Sequence, residues 1–396
     1  MGGVDHSSLI VEVAHELGFD LAGLAPLAPP PAAERFRSWL GAGHHAGMDW
    51  LVRQQERICD PRAILPEGTA MVVVGLGHAR AAGELEGGGR VARYALGRDY
   101  HNVIGKRLAK LARVLEERVG VRRSRRIVDA GPLLERSHAA VAGLGFESKA
   151  ANLLHHRFGP WFFLGELLVE LPGQAPAAAA RAPGSCGTCR ACLEACPTQA
   201  IREPGVVDAN RCISYHTIEN RGASPVALRE HFGLWAFGCD VCSEVCPFGR
   251  RAPDGSGNFG SHAGLAGPSE RAGGRSGEPV SDGATLAHWL TFDSGRNDSE
   301  FRARFEGSPL RRPGPDGLAR NAAVALGNAA SERGRDALLA AVREHSAAFV
   351  REAAAWALAR AHGHEPTVRA ALDAALSNEI DGDARARIGE HRARLV

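Results

Sequence analysis

The chain has 396 residues, 44% of them hydrophobic, which suits two or three packed domains and excludes a disordered chain. A formal net charge of +2 gives composition no case for a polyanion partner, although a local basic face can hide inside a balanced total. No apolar run approaches the ~18 residues needed to span a membrane, and the N-terminus lacks a basic segment followed by an apolar one. A cytoplasmic protein without a membrane partner is expected, and there its nine cysteines point to metal rather than to disulfides.

In chain order, Ser7 or Ser8 is placed to cap a helix reaching about residue 17. Residues 69–75 read as a buried strand closed by glycine. From Asp99 to about residue 119, Val103, Leu108, Leu111 and Leu115 recur at helical spacing, with Asp99 as the cap. Arg126-Ile-Val-Asp129 is a short strand ending before Gly131-Pro132. Residues 133–142 form a helix and 161–171 a long strand. This alternation predicts an α/β or α+β domain over residues 1–180. An Ala/Pro linker leads to a cysteine-rich region, 181–250. Residues 251–298, rich in Gly, Ser and Arg, read as a flexible insertion. Residues 299–396 are helical. Arg320-Asn-Ala-Ala-Val-Ala-Leu326 is echoed by Arg351-Glu-Ala-Ala-Ala-Trp-Ala357, which suggests HEAT-like helix pairs; an Ala-rich bundle is the alternative.

Cys186, Cys189, Cys192 and Cys196-Pro197 spell C-x2-C-x2-C-x3-C-P, a bacterial ferredoxin run in which three thiolates grip one cubane and the fourth serves another. Cys239, Cys242 and Cys246-Pro247 form a second half that lacks its middle cysteine, and Cys212 is the plausible replacement. Cluster one is therefore assigned to Cys186, Cys189, Cys192 and Cys246, and cluster two to Cys196, Cys212, Cys239 and Cys242. Two structural zinc sites are the competing reading, but zinc does not need the crossed Cys-Pro pattern. Cys59 is left over as a buried or partly exposed free thiol.

Asp129 ends a strand, where a carboxylate can face a crevice; a turn aspartate before Gly-Pro is the plainer reading. Asp99-Tyr-His101 nearly matches D-x-H-x-x-G, in which His ligates a corrinoid cobalt, but one residue too many precedes Gly105. An N-capped helix start is the better account of His101. Lys149 is one of only three lysines in a chain that otherwise chooses arginine. No G-x-G-x-x-G cradle argues for a dinucleotide.

The order of these features resembles the epoxyqueuosine reductases, cobalamin-dependent iron–sulfur enzymes of queuosine synthesis on tRNA. The matching stretches include Gly47-Met-Asp-Trp-Leu51, Arg57-Ile-Cys-Asp-Pro-Arg62, Arg93-Tyr-Ala-Leu-Gly-Arg-Asp-Tyr-His101 and Val128-Asp-Ala-Gly-Pro-Leu-Leu-Glu-Arg136. Trp161-Phe-Phe-Leu-Gly-Glu-Leu167, Ile213-Ser-Tyr-His-Thr-Ile-Glu219 and the cysteines follow. The resemblance implies a multidomain α+β protein: an α/β corrinoid-binding domain, a two-cluster ferredoxin domain and HEAT-like helices. It implies two [4Fe–4S] clusters feeding a base-off cobalamin with no histidine below the cobalt. Asp129 matches the family's proton donor, and if burial raises its pKa it would protonate the epoxide-derived oxygen as it leaves. Arg57, Asp129, Lys149, Ser214 and Thr217 fall on corrinoid-contacting segments. The implied substrate is a base of the tRNA anticodon loop, with a flavodoxin or ferredoxin as external donor to a monomeric enzyme. Arg311, Arg312, Arg320 and Arg351 are candidates to hold the RNA backbone, or else form a solvated or ion-paired face. One departure stands out: Phe146-Glu147-Ser148 precedes Lys149 where the family carries glycine. A corrinoid reductase acting on another substrate, or an electron-transfer iron–sulfur protein, is the alternative function.

Overall fold

The computed structural model describes residues 6–78, 83–84, 89–173, 176–180, 182–252, 286–330 and 332–395. The chain forms two compact units with interleaved segments. The first comprises residues 1–80, 98–210 and 241–266, and the second residues 81–97, 211–240 and 267–396.

The first unit is built on a four-stranded sheet of β1 (Leu21–Pro26), β2 (Ala70–Gly77), β3 (Ser124–Ile127) and β4 (Phe162–Val169), in the order β1-β2-β4-β3. Every ladder is antiparallel, so of the two arrangements the alternation allowed, this is α+β. The expected α/β character of the first domain is corrected on this point: its helices cover the sheet without linking parallel strands. β2 is apolar without interruption because it is central and covered on both faces; all of its residues are buried.

Helix α1 (Ser7–Glu16) begins at Ser7 itself, with His6 in the cap position and no side-chain cap. α2 (Tyr100–Val119) is the helix expected from periodicity. Asp99 caps it by accepting from the His101 amide, and Tyr100, Ile104, Leu108, Leu111, Leu115 and Val119 form its buried stripe. It lies close to β4, where a Cβ on Gly165 would stand 2.6 Å from Ile104. The other face of the sheet packs on α3 (Glu135–Val141), in an apolar cluster with Met71, Val73, Ile127, Leu133, Ala139 and Leu168.

The second unit carries a short sheet of Gly83–Glu84, Arg90–Val91 and Trp235–Phe237 and a helical region. The helices are α4 (Gly314–Ala329), α5 (Glu332–Glu344), α6 (Ala348–His362), α7 (Pro366–Asn378) and α8 (Gly382–Ala393). The two echoed segments lie inside α4 and α6, which pack against each other. Residues 253–285 of the expected insertion lie outside the described residues. Residues 286–298 do not fit that expectation: Leu286, Trp289 and Phe292 are fully buried, apolar anchors that the surrounding Gly/Ser composition masks.

Candidate active site and cysteine centre

Asp129 follows β3 at the tip of a tight turn, with φ of 49°, a left-handed conformation that costs energy for a non-glycine residue. Its carboxylate meets the start of α2. Tyr100 donates its hydroxyl to Asp129 Oδ2, and His101 Nε2 lies 3.4 Å from the same oxygen. His101 Nδ1 stands 2.7 Å from Asp99 Oδ1, so a carboxylate faces each ring nitrogen. The helix cap is what creates the group: it places consecutive Tyr and His rings, stacked at 4.2 Å, at the edge where the β3 turn emerges. Tyr100 is braced from behind by Phe163 of β4, at 4.3 Å and nearly parallel.

The electrostatics reverse one expectation. Desolvation alone would raise the Asp129 carboxyl, but hydrogen bonds from His101 and Tyr100 outweigh it and hold the pKa below the ordinary value. Desolvation is the largest single influence, but the side chain is 58% exposed and the donors together decide the direction. Desolvation would likewise lower His101, yet Asp129 and Asp99 raise it to about 9. The proton of this group therefore rests on His101 at neutral pH. Because both ring nitrogens are engaged by carboxylates, His101 is not a free metal ligand, in line with the helix-cap reading.

Beneath the turn, the Asp129 amide donates to Glu135 Oε1 at 2.6 Å. Glu166 of β4 lies fully buried behind Glu135.

All nine cysteines are free of disulfides. Cys186, Cys189, Cys192 and Cys246 border one cavity of the first unit, with Pro160 and Phe248 as part of its apolar wall. Cys242 also borders it. The Cys192 thiol is pushed up by burial and by its neighbours Cys186, Cys246 and Cys189, which is the set assigned to cluster one. Helix Ala191–Ala195 packs on Val241–Glu244, which brings the two halves of the motif together although some fifty residues of sequence separate them. Sulfur acceptors already have donors: the Lys149 amide lies 3.5 Å from Cys186 Sγ, and the Ala200 amide 3.2 Å from Cys196 Sγ. A converging all-thiol set with an amide donor on one of its sulfurs fits an iron–sulfur cluster. Of the second set, Cys196 and Cys242 belong to the first unit and Cys212 and Cys239 to the second. Cys59 is buried, its thiol raised chiefly by burial, which suits an inert core residue.

The other candidates are more dispersed. Lys149 Nζ donates to the carbonyls of Gly187 (2.7 Å) and Cys189 (2.9 Å), clamping the first cysteine loop. The departure before it is absorbed locally: Glu147 pairs with Arg35, and Ser148 accepts from the Asn152 amide. Arg57 is exposed and Ser214 half-buried. Thr217 is buried; its hydroxyl donates to the Ile213 carbonyl and accepts from the Gly238 amide. Of the four arginines, Arg320 is fully buried on the carbonyls of His216, Asn220 and Gly222, and Arg351 pairs with Glu379. Neither is free to grip a phosphate, because each is already used by the second unit's own packing. Arg311 and Arg312 are exposed, Arg312 pairing with Glu219.

Sequence reasoning missed Tyr100, Glu135 and Glu166, and gave His101 only its capping context. A signal did exist for Glu166, the one charge inside the apolar run Phe162–Val169.

Residues 59–130 match the family described as epoxyqueuosine reductase QueG, DUF1730, and residues 185–249 match a 4Fe-4S double cluster binding domain. The epoxyqueuosine reductase of Xanthomonas campestris pv. campestris is 38% identical over 373 residues, spanning 91% of this chain and 97% of that protein. That of Gloeobacter violaceus is 41% identical over 322 residues, 79% and 93% of the respective chains. A crystal structure of epoxyqueuosine reductase with an epoxyqueuosine-modified tRNA stem loop superposes with a TM-score of 0.82 at 25% identity, covering 98% of both chains. A Bacillus subtilis epoxyqueuosine reductase, with a TM-score of 0.81, 25% identity and 98% coverage of both chains, was captured with its aspartate-bearing catalytic loop swung out of the active site.

Proposed function

The chain belongs to the epoxyqueuosine reductase family, oxidoreductases with a 4Fe-4S binding domain, and from that premise we propose that it removes the epoxide oxygen of epoxyqueuosine in a tRNA anticodon loop, with Asp129 handling the proton. The observation that carries the reading is the Tyr100–Asp129–His101 group: an exposed carboxylate held by two donors at the end of a strand.

In this reading residues 1–180 carry the proton-handling site, 181–250 the clusters and 299–396 a HEAT-like helical end. Cys186, Cys189, Cys192 and Cys246 hold one [4Fe–4S] cluster, and Cys196, Cys212, Cys239 and Cys242 the other. Were a cobalamin bound, Arg57 and Ser214 would be the candidates to contact it, and Lys149 and Thr217 would act through the backbone they fix. When bound, the corrinoid supplies reducing power at cobalt. The chain's own part is the proton. The epoxide takes up two electrons and two protons, both of its C–O bonds break, and an alkene and water result. His101 keeps a proton within reach at neutral pH, and Asp129 passes it to an oxygen bound beside it. A tRNA base reaches such a site only when splayed out of its stack. Electrons come from an external flavodoxin or ferredoxin to a monomer.

The test is anaerobic purification with iron and cobalt counted per chain. Reductant and epoxyqueuosine-containing tRNA are then added, and the digested nucleosides are read by mass spectrometry. Loss of one oxygen is expected. Asp129→Asn should lower turnover at least ~100-fold while iron content and tRNA binding persist. Full turnover in that variant would remove Asp129 from the reaction, and unchanged tRNA with cobalamin bound would assign another substrate.

A further inference from the structure

We propose that Glu135 and Glu166 share one proton as a carboxylic acid–carboxylate pair, and that this pair is the positioning element that latches the Asp129 turn where Tyr100 and His101 meet its carboxylate.

Side chains of a strand alternate between its faces, so Glu166 shares a face of β4 with Phe162, Leu164 and Leu168. That face is the apolar one packed by α3. Its cross-strand neighbours are Val73 of β2 and Ile127 of β3, both buried hydrophobics. Glu166 is fully buried, and neither of its carboxyl oxygens accepts from any protein donor. An ionised carboxylate there would be a buried charge without compensation. A protonated one is a donor, and the acceptor within reach is Glu135. The charged groups around the pair are few. From α3 come Glu135 itself and Arg136, whose guanidinium donates to the Ala151 carbonyl. His138, on the same helix, is held neutral by burial. From the turn comes Asp129, and behind it Tyr100, His101 and Asp99 of the α2 cap. The α2 side chains that touch β4 do so on its opposite face, at Gly165. Burial and the negative charge of Asp129 push Glu135 up to about 7, and Glu166 well above the carboxylate range.

The latch is the Asp129 amide on Glu135 Oε1. It holds a residue at φ 49°, a conformation that persists only where its surroundings enforce it. Glu135 can accept that bond without full charge repulsion toward Asp129 because Glu166 donates to it from below. In a Bacillus subtilis relative the aspartate-bearing catalytic loop has been found swung out of the active site.

The inference rests on Asp129 being the proton-handling residue of the proposed reaction, but the pair and the latch are measurable without turnover. Infrared spectra of the full chain at pH 7 should contain the carbonyl stretch of a protonated carboxyl, and Glu166→Gln should remove it. In Glu135→Ala, hydrogen exchange at the Asp129 amide should quicken about tenfold or more, and Glu135→Gln should restore protection. On epoxyqueuosine tRNA, Glu135→Ala should lower kcat and leave KM unchanged, with rescue by Glu135→Gln. No protonated-carboxyl band, or unchanged exchange in Glu135→Ala, would overturn the pair or the latch. Lost protection with unchanged kcat would overturn the positioning role. Wild-type protein that shows the band and the protection but leaves tRNA unaltered supports the latch and refutes the reaction instead.

Discussion

Asp129 and His101 illustrate how a single contact sets two protonation states. A pKa raised in the fold favours the folded state below the group's ordinary value and loses that contribution as pH rises through the folded value. For His101 the contribution is complete below ~6.5 and fades up to about 9. Asp129, held low, contributes above its ordinary ~3.9 and loses its share as pH falls below that. The pair's contribution to stability is thus full from roughly pH 4 to 6.5 and shrinks toward 9, whereas in the folded protein His101 keeps its proton until pH nears 9. Turnover should decline on the alkaline side with an apparent pKa near 9, and His101→Gln should abolish that limb while lowering kcat; a pH–rate profile of both proteins checks this. Asp99 was legible as a helix cap from its place before an apolar periodicity. That the same cap aims His101 at Asp129 was not, because 28 positions separate the two and only the packing of α2 along β4 joins them.

At the scale of elements, the cysteine loops depend on close backbone approach. A Cβ on Gly249 would stand 2.0 Å from the Ser243 carbonyl oxygen, and Trp161 Nε1 donates to the Gly249 carbonyl at 3.0 Å. Gly249 sits three residues after Cys246, so any shift of this turn moves a cluster ligand. Gly249→Ala should cost about 1–3 kcal/mol by overpacking and lower the iron bound per chain, as measured by thermal unfolding and iron analysis. The main elements of the first unit were readable. The strand 69–75, the helix from Asp99 and the strand 161–171 appear within a residue or two of their expected ends, since each carries a strong period or an unbroken apolar run. β1 was not anticipated: Leu-Ala-Gly-Leu-Ala-Pro has no β-branched residue, and its pairing with β2 supplies what propensity does not.

At the scale of the molecule, the second unit is tied internally by buried charge. Arg229, 0% exposed, forms a two-point contact with Glu352, 1% exposed, which also meets His391 Nε2 at 2.8 Å. Removing one partner strands the other in an apolar interior. Glu352→Ala should therefore destabilise this unit by roughly 3–5 kcal/mol in denaturant unfolding, more than replacing both members together with apolar residues. Arg320 belongs to the same economy: its guanidinium serves three backbone carbonyls of the 216–222 segment and is no RNA-facing cation. Among the described residues no helix is long and apolar enough to cross a membrane.

The sequence by itself determined the eight-cysteine pattern, the family and an aspartate in the turn before Gly131-Pro132, because spacing, order and local capping are properties of the chain as a string. Tertiary structure alone decided how the aspartate is ionised. Its pKa depends on donors brought from the start of α2, and the amide of the turn that carries it donates to Glu135 of α3. Charge interactions act through space over a few ångströms, and in a folded sheet those few ångströms join residues that lie tens of positions apart.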